Sequence, residues 1–128
     1  MLQTNILGHV NMVKHIVPLM SEGGHIVNIG SMGGVQGSVK FPGLSAYSAS
    51  KGALAILTEV LAEEFKEKNI KVNCLALGSS QTEMFEAAFP ETQAGTLAFE
   101  MGRYVAEFAQ NGSKYYNGKV LPVANTTP

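Results

Sequence analysis

Tyr47 and Lys51 lie four residues apart in the segment YSASK, a spacing that puts two side chains on one face of a helix. An ammonium beside a phenol favours the phenolate, and a tyrosine so placed can trade a proton with a substrate oxygen. Alone the pair is a weak signal. The chain has four tyrosines, and a solvated helix pair accounts for an isolated YxxxK. The surroundings change the weighting. Ser45, Ala46, Ser48, Ala49, Ser50, Gly52 and Ala53 are all small, and small residues at a helix start let a ligand or another backbone come close. Upstream, Ser31 closes the segment HIVNIGS. Ligands of open α/β sheets bind at the C-terminal ends of strands, and a serine there can donate a hydrogen bond to a carbonyl oxygen. An ordinary loop serine is the competing reading.

The elements that must position these residues follow from hydrophobic period. Leu2, Ile6, Val10, Val13, Val17 and Met20 recur at steps of three and four, which predicts an amphipathic helix over 2–20. HIVNIGS, 25–31, is β-branched and bounded by glycines, and reads as a buried strand. A Gly-rich loop over 30–43 leads to a long helix over 45–68. That helix carries two apolar stripes, Leu54, Leu57, Leu61 and Phe65 on one side and Ala46, Ala49, Ala53, Ile56 and Val60 on the other. Two stripes predict two covered faces, one on a sheet and one on a partner. IKVNCLAL, 70–77, is a second strand, followed by a loop over 78–96 containing Phe85, Phe89 and Pro90, a helix over 97–111 and a short strand over 117–123. Alternation of this kind predicts parallel strands with right-handed crossovers.

Composition narrows the chemistry. With 128 residues, one domain is expected. Hydrophobic residues at 45% and charged residues at 15% favour a packed core over disorder. The net charge of −1 comes without a basic cluster, so neither nucleic acid nor an anionic membrane surface is an expected partner. All ten acidic residues are glutamates, which excludes a Ser-His-Asp triad, Asp-rich calcium loops and an Asp-dependent phosphoryl-transfer site. Histidines occur at 9, 15 and 25 without HExxH or CxxC, so no metal site is expected. The single Cys74 fits a reducing, cytoplasmic setting. No apolar run reaches the ~18 residues of a membrane span, and the first residues lack the basic region of a signal peptide.

TNILG, GGHIVNIGS, YSASKGALAILTEVLAEEF and IKVNCLALG with TEM, in that order and spacing, resemble the catalytic half of the short-chain dehydrogenase/reductase family. The resemblance covers roughly residues 2–84, and NGKVLPV matches that family's last strand more loosely. It implies an NAD(P)-dependent oxidoreductase passing a hydride between a dinucleotide and a small-molecule carbonyl or alcohol. Tyr47 would be the general acid in reduction and the base in oxidation. Lys51 would favour its ionisation and bind the nicotinamide ribose, Ser31 would orient the substrate oxygen, and Asn5 would hold a water in the proton relay. Tyr47, Lys51, Gly78 and Thr82 would lie along the cofactor, Thr82 at the nicotinamide amide, with Asn28 near the same path. Two departures stand out: Leu77-Gly78 replaces the family's usual Pro-Gly, and the sixteen residues from Ser31 to Tyr47 are a longer step than usual, which points to a loop bulging toward the substrate.

The family binds its dinucleotide on an N-terminal Gly-rich turn, and these residues contain no GxG. The fold expected is therefore α/β, a partial Rossmann-like doubly wound parallel sheet of about three strands and three to four helices, without the N-terminal βαβ units. Residues 1–128 correspond to the C-terminal, catalytic half of the domain, expected not to turn over alone. A non-enzymatic oligomerising or binding module is the alternative. An exposed apolar strand edge invites pairing, and the family's two long helices commonly form a dimer interface, so a homo-oligomer is expected through helices 2–20 and 45–68 or strand 25–31.

Overall fold

Strand β1 (His25–Ser31) and strand β2 (Lys71–Leu77) form where the sequence shows β-branched, apolar runs. A computed structural model describes residues 3–38, 40–78, 80–81 and 96–125. β1 and β2 pair in parallel from His25 opposite Lys71 to Ser31 opposite Leu77. The last strand of the sheet, β5 (Val120–Val123), pairs in parallel with the other side of β2, from Cys74 opposite Val120 to Leu77 opposite Val123. The order is β1-β2-β5. β2 is the centre, and its inner residues Val72 to Ala76 are all buried, as expected for a parallel strand covered on both faces. The predicted strand over 117–123 is shorter in the structure. Its first residues form a turn, in which Gly118 has φ +72°.

The crossovers are helical. Helix α2 (Ser45–Glu64) links β1 to β2, and helix α3 (Ala98–Asn111) lies between β2 and β5. α2 runs into a 3-10 turn (Lys66–Lys68) that ends at Asn69, whose left-handed backbone (φ 54°) supplies the C-terminal stop. Within the stretch read as loop over 78–96, Ser80–Gln81 (β3) and Thr96–Leu97 (β4) form a small parallel pair.

The predicted helix over 2–20 is not one uniform helix. Gln3–Leu7 is a π-helical turn, α1 covers Gly8–Ile16, and Val17–Leu19 is 3-10. The wide turn brings the Gln3 carbonyl to Gly8, where a methyl would stand 3.2 Å from it. At the other end Pro18 cannot donate to an α-helical ladder, and Met20 turns to extended backbone.

Alternation along β1 and β2 divides the molecule into layers. On one face Val13 and Val17 from the first helical segment meet Leu61 and Ala62 of α2, together with Ile70 and Val72, with Ile26, Leu57 and Phe65 at the margin. The other face takes α3, with Phe108 and Met101 buried and the Phe108 ring 5.5 Å from that of His25. The first apolar stripe of α2 is thus the sheet-facing one. The second is open: Ile56 is 59% and Val60 48% exposed. No described helix is long and apolar enough to cross a membrane.

Candidate active site

YSASK occupies the first two turns of α2. With no polar cap on Leu44, the helix start is fixed by the Ser48 amide donating to the Leu44 carbonyl at 2.8 Å. Tyr47 and Lys51 share a face as their spacing predicts, with the Lys51 Nζ 5.9 Å from the centroid of the Tyr47 ring. Lys51 then reaches the sheet, where its Nζ donates to the Ile29 carbonyl of β1 at 3.0 Å. Burial pushes the Lys51 ammonium below the usual lysine range, opposed by the charge that Cys74 would carry if ionised. Tethered at one N–H, the ammonium keeps two donors for another partner.

Ser31 ends β1 and caps the 3-10 turn Met32–Gly34, its Oγ accepting from the Gly33 amide at 3.1 Å. In this bond the hydroxyl acts as acceptor, which leaves its hydrogen for another oxygen. The turn brings Ser31 to Tyr47. A methyl built on Gly33 would stand 3.4 Å from Ser31 Oγ, 3.3 Å from Ser48 Oγ and 3.9 Å from Tyr47 Cε1. Two hydroxyls and the phenol ring edge therefore converge on a residue without a side chain. The loop that follows is closed on itself: Lys40 Nζ donates to the Val35 carbonyl at 2.7 Å and the Ser38 carbonyl at 2.9 Å. Beyond it, a cleft of about 330 Å³ is lined by Phe41, Pro42 and Leu44 with Lys40, Ser45 and Ser48, near the low end of ligand-sized cavities.

Asn5 lies in the π-helical turn. Its Nδ2 donates to Ser50 Oγ at 2.9 Å, and Ser50 Oγ donates to the Tyr47 carbonyl at 2.7 Å. The first helical segment is thereby tied to the Tyr47 turn. Single-turn π segments occur often at functional sites. Asn28 is not at the surface of the site. It is buried, donating to Thr58 Oγ1 at 2.9 Å, while Thr58 donates to the Leu54 carbonyl. Beside that pair, burial raises the Cys74 thiol, against the effects of its Thr58 hydrogen bond and of Lys51. Gly78 follows β2 and donates to the Val123 carbonyl at 2.9 Å. A methyl there would come within 2.5 Å of Ala124 Cβ, so packing alone demands glycine. Thr82, with Met84, Phe85 and Phe89, lies outside the described residues. Among the described residues no group of His, Cys and Glu could hold a metal ion.

The structure thus brings Ser31, Tyr47, Lys51 and, through Ser50, Asn5 into one neighbourhood. In the sequence Ser50 stands out only as one of several small residues, and Gly33 and Gly34 only as part of the Gly-rich loop over 30–43. Their roles depend on contacts across 45 residues in one case, and no local signal in the sequence specifies those contacts.

A family model described as short chain dehydrogenase matches residues 1–93. The chain is 39% identical over 130 residues to carbonyl reductase family member 4 of Danio rerio, covering 95% of this chain and 53% of that protein. It is 44% identical over 84 residues to a 3-oxoacyl-[acyl-carrier-protein] reductase of Mus musculus, covering 65% of this chain and 34% of that one. Among solved structures, a short chain dehydrogenase from Burkholderia cenocepacia in complex with NADP superimposes with a TM-score of 0.80 at 27% identity, over 96% of this chain and 53% of that one. The chain spans about half the length of the curated relatives it matches. With the model match covering most of its residues, the chain belongs to the short-chain dehydrogenase family.

Proposed function

We propose that this chain carries the proton-transfer side of an NAD(P)-dependent oxidoreductase acting between a small carbonyl compound and its alcohol. The convergence of Ser31, Tyr47 and Lys51 around Gly33 and the Ile29 carbonyl carries this reading. A bound dinucleotide would supply the hydride as NADH or NADPH in reduction and would take it as the oxidised form in oxidation. In reduction Tyr47 gives its hydroxyl proton to the substrate oxygen and in oxidation it takes that proton back, a contribution of the order of 10²–10⁴ in rate for a positioned acid–base group. Ser31 Oγ–H donates to the same oxygen. Lys51, held by Ile29, offers its two remaining N–H groups to the nicotinamide ribose and sets its charge beside the phenol. Asn5 keeps a water of the relay in place, and Gly78 would border the nicotinamide.

The residues fit the nicotinamide end of a dinucleotide: Lys51 has donors to spare. They do not supply the pyrophosphate end, since the 128 residues contain no GxG turn. Turnover therefore requires a Gly-rich half-domain alongside these residues. The test is titration with NADH and NADPH, followed by thermal shift. A Kd below about 100 μM raises the melting temperature measurably at millimolar ligand. With a Gly-rich half-domain supplied, dinucleotide binding that Tyr47→Phe leaves unchanged, together with loss of carbonyl reduction in that variant, supports the proposal.

The absence of any shift with either dinucleotide overturns autonomous dehydrogenase activity, and failure to bind and turn over with the half-domain supplied favours a binding or oligomerising module. That second reading has its own observation. Among the described residues β1 pairs only with β2, and Leu7, Met12, Ile16, Ile56 and Val60 are exposed on the first helices. We infer a homo-oligomer that covers these faces, or the free edge of β1, with a second copy. Light scattering checks it: an oligomer at micromolar concentration, weakened by Ile56→Glu, is expected, and a stable monomer overturns it. The buried thiol of Cys74 suits the reducing setting of the cytoplasm.

A further inference from the structure

Ser50 is wholly buried on α2 and sits between two groups of the proposed site. Its Oγ is 2.7 Å from the Tyr47 carbonyl oxygen and 2.9 Å from the Asn5 side-chain amide. A hydroxyl has one hydrogen, and a carbonyl oxygen can only accept. Two oxygens 2.7 Å apart repel unless that hydrogen lies between them, so Ser50 must donate to Tyr47. Its remaining capacity toward Asn5 is as an acceptor, which selects the NH₂ end of the Asn5 amide and turns Oδ1 away from Ser50. Which end of an asparagine faces a neighbour is decided by the hydrogen-bond network, and here a single hydroxyl decides it.

We propose that Ser50 is a positioning residue: it fixes the orientation of the Asn5 amide and locks the π-helical turn Gln3–Leu7 to the main chain of Tyr47. The Asn5 side chain then keeps Oδ1 as an acceptor, with one N–H beside it, pointing away from Ser50, and the two helical segments hold the Tyr47–Lys51 pair as one frame. This deepens the functional reading above and rests on it for what the frame serves, but the lock itself can be tested without turnover. Thr58 provides the comparison. It is another wholly buried hydroxyl of α2, donating to the Leu54 carbonyl and accepting from Asn28, away from Tyr47. Losing it should destabilise the helix to a similar degree without touching Asn5.

The experiment is nuclear magnetic resonance of the 128-residue chain, with ¹⁵N side-chain amides and the ¹³Cζ of Tyr47, each assigned by its own substitution. In Ser50→Ala the Asn5 side-chain amide should shift and exchange with solvent about tenfold faster or more, the size expected for a lost buried hydrogen bond, and Tyr47 ¹³Cζ should shift. Thr58→Ala should do neither. An unchanged Asn5 amide in Ser50→Ala, or the same changes in Thr58→Ala, overturns the proposal. The unsubstituted chain also decides: the Asn5 side-chain amide should exchange more slowly than that of exposed Asn11, and equal rates overturn it even if Ser50→Ala fails to fold. Where turnover is measurable, Ser50→Ala should lower kcat with KM unchanged and add no loss on a Tyr47→Phe background. A failed dinucleotide titration bears on the enzymatic reading alone, because the exchange measurements need no cofactor.

Discussion

Gly34 rests on the backbone of Lys51. A methyl on Gly34 would stand 2.6 Å from the Lys51 carbonyl carbon and 2.7 Å from the Gly52 amide nitrogen. Main chain cannot move aside as a flexible side chain does, so this contact sets how closely the turn bearing Ser31 approaches the helix bearing Tyr47. Gly34→Ala should push the two apart and cost about 1–3 kcal/mol, the usual range for overpacking. Denaturant midpoints read the cost. Any carbonyl-reducing activity should fall by more than the folded fraction, because Ser31 and Tyr47 no longer converge.

The bond from Asn28 Nδ2 to Thr58 Oγ1 joins β1 to α2 in a buried setting. Thr58→Val keeps the shape but leaves the Asn28 amide without its acceptor, at a cost of about 1–3 kcal/mol. Adding Asn28→Leu removes the unpaired group, so the double variant should be less unstable than the two single losses summed. Strict additivity in urea unfolding would mean the bond contributes nothing specific.

His25 gives the fold a pH dependence. Its Nδ1 lies 3.0 Å from the Ala109 carbonyl, so that nitrogen carries the hydrogen, while Nε2 accepts from Asn73 Nδ2 at 3.0 Å. Protonation would set two donors face to face. Burial lowers the His25 pKa below its ordinary value of 6.5, against the opposing effect of the Ala109 bond. The unfolded chain then binds more protons, so the stability held by neutral His25 is fully present above about 6.5 and is lost as pH falls from there toward the lower folded value. The melting temperature should fall between pH 7 and pH 5, and His25→Gln should flatten that slope. Identical slopes in the two proteins would remove His25 from the account.

Gly102 stands within α3, and a methyl there meets nothing within 4 Å. Gly102→Ala should stabilise the chain by about 0.5–1 kcal/mol through helix propensity and a less flexible unfolded state. Thermal melts and urea midpoints check it, with no change expected in dinucleotide binding.

Much of this was legible from residue order. β-branched runs bounded by glycine located β1 and β2 because parallel strands covered on both faces need continuous apolar sequence. The step of four placed Tyr47 beside Lys51 because helix geometry is local. Ser31 stood out because it ends a strand. The π-helical turn and the 3-10 segment at Pro18 were not legible, since the apolar period over 2–20 hardly differs between these helix types.

By itself the sequence determined an α/β chain of the short-chain dehydrogenase family, with a tyrosine and a lysine on one helical face and no GxG turn for a pyrophosphate. These properties follow from period, composition and nearest neighbours. Tertiary structure alone decided that Lys51 is tethered to the Ile29 carbonyl, that Gly33 and Gly34 admit Ser31 to Tyr47, and that Ser50 orients Asn5. Each depends on hydrogen bonds or van der Waals contact between segments far apart in the chain, and such distances are set only when the helices and the sheet have packed.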